Sequence, residues 1–307
     1  MKEVTTGEER SFEKQNVLNK RERYLATNPL IRYTHDEPYS KKINYIKNKL
    51  IKSDGLILDI GGNTAGEATI LGTMGFRFVV GDINEYALSI SKDRIRKFHL
   101  TFPYYCALDA HNLPFGNAVF DQVTIIEALH HFVDYRKVLD EVLRVLRPGG
   151  NFVSLEPYAL NPIRRASEIR DRFRGTIEKS FSVKQITQLL NTSNFTNIDV
   201  SFIGTGRSTW KLQEVPLYRR WFAKFHGYLN ENIQNIFGNL LINAKKDGEL
   251  IENGNTVDFY SILRCPKTKE KLSLNGKLHM FINESKTFGY KLYDEIPILI
   301  KEDAITL

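Results

Sequence analysis

The chain predicts a doubly wound α/β fold around a mostly parallel seven-stranded sheet, and three observations carry that expectation. Apolar, strand-length runs alternate with helical patterns from residue 56 to residue 156. The first run leads into a glycine turn, Asp59-Ile-Gly61-Gly62-Asn63. The second ends in Asp82, about twenty residues further on, where folds of this kind place an acidic residue. Strands joined through single helices run parallel with right-handed crossovers, and their carboxyl ends form a crevice.

The elements follow in order. Residues 9–28 carry Phe12, Val17, Leu18 and Leu25 at roughly helical spacing until Asn28-Pro29 interrupts them. Pro38 opens a second helix through about Leu50, with Ile43, Ile46, Leu50 and Ile51 on one face. Strands are expected at 56–60, 76–82, 104–109, 122–127 and 151–156, with helices at 65–74, 86–98 and 135–146. Beyond Pro157 come a basic helical stretch (161–174) and a capping box at Ser182 and Gln185. A strand (197–203), an aromatic-rich amphipathic stretch (208–236) and a last strand (239–244) complete the pattern. Residues 249–256 are polar and read as a linker. The expected layout is an N-terminal helical lid (1–52), a large α/β domain (53–248) and a small α+β C-terminal domain (257–307).

Composition bounds the classes. The 307 residues are 42% hydrophobic and 26% charged, ordinary values for a globular protein. Apolar runs fall short of the roughly 20 residues of a membrane span, and the N-terminus lacks a signal-peptide pattern, so a cytoplasmic protein without a membrane span is expected. Two cysteines, Cys106 and Cys265, exclude a disulfide framework. A net charge of +7, spread along the chain, permits an anionic partner such as nucleic acid without demanding one.

At the turn, Gly61 and Gly62 let a ligand approach the backbone, and Asn63 tolerates positive φ. Asp59 offers a carboxylate to a cationic amino group, and Asp82 is placed to bind a ribose diol or to cap the following helix. Asp109 can accept from an exocyclic adenine amine or bond its own loop, with Ala110 and Leu113 as apolar cover. Glu127, His130 and His131 follow the next strand, and the two histidines either take a proton from an acceptor or cap the loop. Glu156 and Tyr158 are further rim candidates.

Residues 56–152 resemble the class I S-adenosylmethionine-dependent methyltransferases, in the branch with an Asp-Ala-x-x-Leu-Pro-Phe motif. The matching pieces are Leu58-Asp59-Ile-Gly61-Gly62, Gly81-Asp82-Ile83, Asp109-Ala110-x-x-Leu113-Pro114-Phe115, Ile126-Glu127-Ala-Leu-His130-His131-Phe132 and Leu146-Arg-Pro148-Gly149-Gly150. The resemblance implies S-adenosylmethionine as donor and S-adenosylhomocysteine as product. It places the methionine moiety by Asp59, Gly61, Gly62 and Asn63, the ribose by Asp82, and the adenine by Asp109 and Ala110, with Ile83 and Glu127 also among the cofactor residues. Asn63 and Ala65 stand at later glycine positions of the family pattern, and Ala65 is expected to open a helix. Methyl transfer from a sulfonium asks mainly for alignment and exclusion of water. The acceptor pocket is expected to be lined by Tyr24, Tyr33, Tyr39, Tyr158 and Trp210.

The segment from Ile262-Leu263-Arg-Cys265-Pro266 to Ile296-Pro297 resembles the small zinc-ribbon-like family that activates tRNA, rRNA and release-factor methyltransferases. Thr268 takes the place of that family's second cysteine, and no later cysteine pair exists, so no metal site is expected and the fold must rest on packing against a partner surface. Two functions are in view. One is methylation of an O, N or C nucleophile on a small biosynthetic acceptor. The other is an RNA or protein methyltransferase with its activator fused in cis. Glu127-Ala-Leu-His130 stands where an Asn-Pro-Pro-Tyr motif would mark a planar amide or exocyclic amine target.

Overall fold

The computed structural model describes residues 6–100, 103–159, 161, 164, 168, 180–203, 238–251 and 257–307. Trp210, the amphipathic stretch 208–236 and most of the basic stretch 161–174 lie outside the described residues. Four helices lead the chain: α1 (Thr6–Asn19), α2 (Arg21–Ala26), α3 (Pro29–His35) and α4 (Glu37–Lys49). Pro29 sits at the start of α3, where a missing N–H is harmless, and the Asn28 side chain accepts from Leu30 N. The expected single helix over 9–28 is thus two helices, with Pro29 opening a third.

The alternation that follows is β1 (Leu56–Ile60), α5 (Gly66–Thr73), β2 (Arg77–Asp82), α6 (Glu85–Phe98), β3 (Tyr104–Leu108), β4 (Phe120–Ile126), α7 (Tyr135–Val145) and β5 (Leu146–Pro157). Then come α8 (Val183–Thr192), β6 (Phe195–Ile203) and β7 (Asn239–Lys246). Strand order is β6-β7-β5-β4-β1-β2-β3, with β1 to β5 parallel and β7 antiparallel to both neighbours. Every residue of β1 is buried, as expected of a central strand covered by helices on both faces. Ser182 accepts from Gln185 N while Gln185 accepts from Ser182 N, the capping box read from the pattern.

The tail begins at residue 257. Its described residues form strands β8 (Leu272–Asn275), β9 (Met280–Asn283), β10 (Phe288–Tyr293), β11 (Ile296–Leu299) and β12 (Ile305–Thr306), with two 3-10 turns and no α-helix. The sheet does not stop at β3. Ile298 and Leu299 of β11 pair in parallel with Ala107 and Leu108, and β10, β9 and β8 continue the sheet beyond. An edge strand with unpaired backbone groups is thereby covered. The turn between Pro114 and Gly116 is gripped as well, since Arg264 N donates to Pro114 O at 2.8 Å and Gly116 N to Ile262 O at 3.0 Å. Phe259 is buried and its ring lies 4.9 Å from that of Tyr104, stacked.

No metal-ligating group is found among the described residues of this tail. Cys265 is buried with its Sγ 3.2 Å from the Tyr290 hydroxyl and accepts from Thr268 N. Beside it, Glu270 and Asn283 organise Ser285, Thr287 and Thr268 through hydrogen bonds. The tail rests on polar bonding as well as on the expected apolar packing.

Candidate active site

The carboxyl ends of β1, β2, β3 and β4 open onto a cavity of about 670 Å³. Asp59, Gly61, Gly62, Asn63, Asp82, Ile83, Asp109, Ala110, Glu127 and His131 all line it. The sequence-predicted cofactor residues are brought together from four strands.

The turn is built close. Gly61 N and Gly62 N both donate to Gly81 O, at 2.8 and 3.2 Å, and Gly61 has φ +73°. A Cβ on Gly62 would stand 2.4 Å from Val80 Cγ1, so no side chain fits there. Asn63 takes φ +45°, as anticipated, and its N–H donates to Asp82 Oδ2 at 2.8 Å. Asn63 Oδ1 is buried without a hydrogen-bond partner among the described residues. Ala65 does not open the helix. It adopts φ +51° ahead of α5, which begins at Gly66, and its methyl is buried.

Asp82 is not the helix cap. That role falls to Asn84, whose side chain accepts from Tyr86 N and Ala87 N, while Asp82 Oδ1 accepts from Asn84 N at 2.9 Å. Asp59 is 4% exposed and accepts from Thr124 Oγ1 at 2.7 Å. Burial pushes its carboxyl up to about 7, against the Thr124 bond, with Glu67 and Asp82 adding to the rise. Asp109 behaves otherwise. Burial raises it, but the His111 ring and backbone N–H, both on Oδ1, outweigh burial and hold it below the usual carboxylate range. His111 Nε2 accepts from Asp134 N at 3.4 Å, which assigns the ring proton to Nδ1. Leu113, expected over the ring pocket, lies instead in the core with no exposure.

The histidines separate. His131 lines the cavity, whereas His130 is 4% exposed and its Nδ1 is 2.7 Å from Glu156 Oε2. Glu156, expected on the rim, is fully buried and also accepts from Leu129 N, His130 N and Ser154 Oγ. The two imidazoles face each other at 4.1 Å. Glu127 has φ +55°, which turns it out of β4, and its carboxylate accepts from Lys42 Nζ at 2.6 Å and Asn239 Nδ2 at 3.2 Å.

The tyrosines expected on the acceptor side are not among the lining residues of this cavity. Tyr24 packs on the Val17, Ala87 and Ile90 cluster, and Tyr33 bonds Asn44 and packs on the core. Tyr39 is buried under the Arg32 guanidinium, and Tyr158 meets Phe202 edge to face. Their rings cover apolar surface, the stronger demand on an aromatic in a helix or at a strand end. Of the carboxylate and lysine lining residues, two escaped the sequence reading: Lys42 and Glu67. Their helical positions looked like solvated charge, and only the cavity shows their proximity.

A family model described as a methyltransferase domain matches residues 58–154. Demethylmenaquinone methyltransferase of Clavibacter sepedonicus is 37% identical over 106 residues, 33% of this chain and 40% of that protein. The ubiquinone/menaquinone biosynthesis C-methyltransferase UbiE of Vibrio parahaemolyticus matches at the same identity and coverage. The chain thus spans about two fifths of the length of these relatives. Among solved structures, an S-adenosylmethionine-dependent methyltransferase of Thermotoga maritima superposes with a TM-score of 0.53 at 17% identity, over 76% of this chain and 97% of that one. A chain from the complex between the Haloferax volcanii Trm112 methyltransferase activator and a methyltransferase gives 0.54 at 16% identity, over 70% and 92%. Residues 58–154 thus match the methyltransferase-domain family, and the fold around them is that of the S-adenosylmethionine-dependent methyltransferase of Thermotoga maritima.

Proposed function

We propose that the protein transfers a methyl group from S-adenosylmethionine to an O, N or C nucleophile of a small biosynthetic acceptor. The observation that carries it is the convergence of Asp59, Asp82 and Asp109 from three strand ends on one cavity, beside a glycine turn that admits no side chain. The residues fit the donor. The lining is acidic, the donor's sulfonium and ammonium are cationic, and Asn63 Oδ1 is a buried acceptor in need of a donor. Bound there, S-adenosylmethionine supplies a methyl already activated on sulfur.

The chain's own groups do the rest. Asp82 accepts from the ribose hydroxyls, Ala110 and Ile83 flank the adenine, and Asp59 pairs with the ammonium once ionised. His131 takes the proton of an acceptor that carries one, and His130, fixed by Glu156, holds the His131 ring in place. The names of the quinone-methylating relatives support a small apolar acceptor. The deciding experiment is transfer of labelled methyl to a panel of small acceptors, preceded by calorimetry with S-adenosylhomocysteine. Binding without transfer to any small acceptor would remove the acceptor class.

One observation favours the second reading, an RNA or protein methyltransferase with a fused activator. The tail docks on β3, and a structural neighbour comes from a complex with a methyltransferase activator. Turnover on RNA that falls steeply with salt would decide for it.

A further inference from the structure

Lys42 comes from α4, ahead of the segment matched by the family model, yet it reaches the cavity wall. Its Nζ lies between two carboxylates, 2.9 Å from Glu67 Oε1 and 2.6 Å from Glu127 Oε2. Its side chain is 13% exposed. Burial works against the ammonium, but Glu127 and Glu67 outweigh it and hold Lys42 charged. Glu67 reflects the same pair: burial raises it, and Lys42 brings it below its ordinary value.

The charge balance of the cavity is lopsided. Asp59, Glu67, Asp82, Asp109 and Glu127 line it, and Lys42 is the only lysine or arginine among its described lining residues. That pattern suits the donor's two cations and opposes its third ionic group, the α-carboxylate. A carboxylate brought into such a site without a cation loses its hydration and meets like charge. Asp59 and the glycine turn hold the methionine end, so the carboxylate belongs on the Lys42 side of the cavity.

We infer that Lys42 binds the α-carboxylate of the donor, an inference that rests on the donor reading above. Glu127 is the partner it releases. Glu127 is 44% exposed and has Asn239 as a second partner, whereas Glu67 is 25% exposed and stays to orient the ammonium. In the absence of donor, Glu127 stands in for the ligand's carboxylate. With donor bound, α4 is tied to the cofactor through one charge-assisted bond, so the N-terminal helices register whether the site is filled.

The test is calorimetry on the full chain with two ligands, S-adenosylhomocysteine and S-adenosyl-3-thiopropylamine, which is the same molecule without its carboxylate. The wild type should prefer the former by about 10- to 100-fold, the worth of one charge-assisted bond. Lys42→Met should lower the affinity for S-adenosylhomocysteine by that factor and leave the amine within about threefold, erasing the preference. Lys42→Arg, which keeps the cation, should retain most of it. Equal losses on both ligands, or no loss on either, overturns the inference while the donor reading stands. Should Lys42→Met fail to fold, a wild-type preference near one, or none retained by Lys42→Arg, overturns it equally. Wild type that binds neither ligand removes the donor reading itself, and this inference with it.

Discussion

Asp59 and Thr124 stand opposite each other across the β1–β4 pair, and the Thr124 hydroxyl donates to Asp59 Oδ1 at 2.7 Å. One neutral donor does not compensate the burial of a carboxylate, which is why the Asp59 carboxyl is pushed up to about 7.

The pH dependence follows with a definite sign. In the unfolded chain an aspartate ionises near ~3.9, so between about pH 4 and 7 the folded state keeps a proton that the unfolded state has lost. Folding stability from this group is therefore fully present at low pH and declines as pH rises through 7. Urea midpoints measured from pH 5 to 8 should fall more in the wild type than in Asp59→Asn. Identical slopes would mean that Asp59 is already ionised. Donor binding should run the other way, tightening from pH 6 to 8 as the carboxylate forms to meet the ammonium.

Asp82→Ala should weaken S-adenosylhomocysteine binding about 10- to 100-fold by calorimetry. Its two oxygens also hold Asn63 N and Asn84 N, so a modest loss of thermal stability should accompany it. Unchanged affinity would withdraw the ribose assignment.

Gly62→Ala places a methyl 2.4 Å from Val80 Cγ1 and 2.8 Å from Asp59 Oδ2. Neither neighbour is free to retreat, since Val80 is in the core and Asp59 is buried. A destabilisation of about 1–3 kcal/mol is expected, read from chemical denaturation. A neutral effect would show a looser turn than the one described.

Phe259→Ala removes a fully buried ring that stacks on the β3 edge, a change worth about 3–5 kcal/mol. Because the tail continues the sheet, wild-type melting should be one transition, with calorimetric and van't Hoff enthalpies in agreement. Two separated transitions would make the tail an autonomous unit.

Zinc analysis of the purified chain should find well under one equivalent. Cys265 is committed to Tyr290 and Thr268, and stoichiometric zinc would contradict that arrangement.

The local part of this structure was legible because period and punctuation are local signals. Strands β1 to β7 and helices α4 to α8 lie within a few residues of their expected places, and Asp59, Asp82 and Asp109 meet because strand ends in a parallel sheet must. What escaped depends on distance along the chain. Glu156 captures His130 from 26 residues away, Lys42 crosses 85 residues to Glu127, and β11 reaches back to β3 past every strand from β4 to β10. The tyrosines are hard to place for a different reason: an aromatic near a pocket serves the core as readily as the cavity, and hydrophobicity does not distinguish the two.

The pairing of Ile298 with Ala107 has a kinetic corollary. Where an edge strand is capped by a separate polypeptide, occupancy follows that partner's abundance and its dissociation constant. Here the cap and the enzyme share one backbone, so association is unimolecular, its stoichiometry is set at translation, and dilution cannot strip it away.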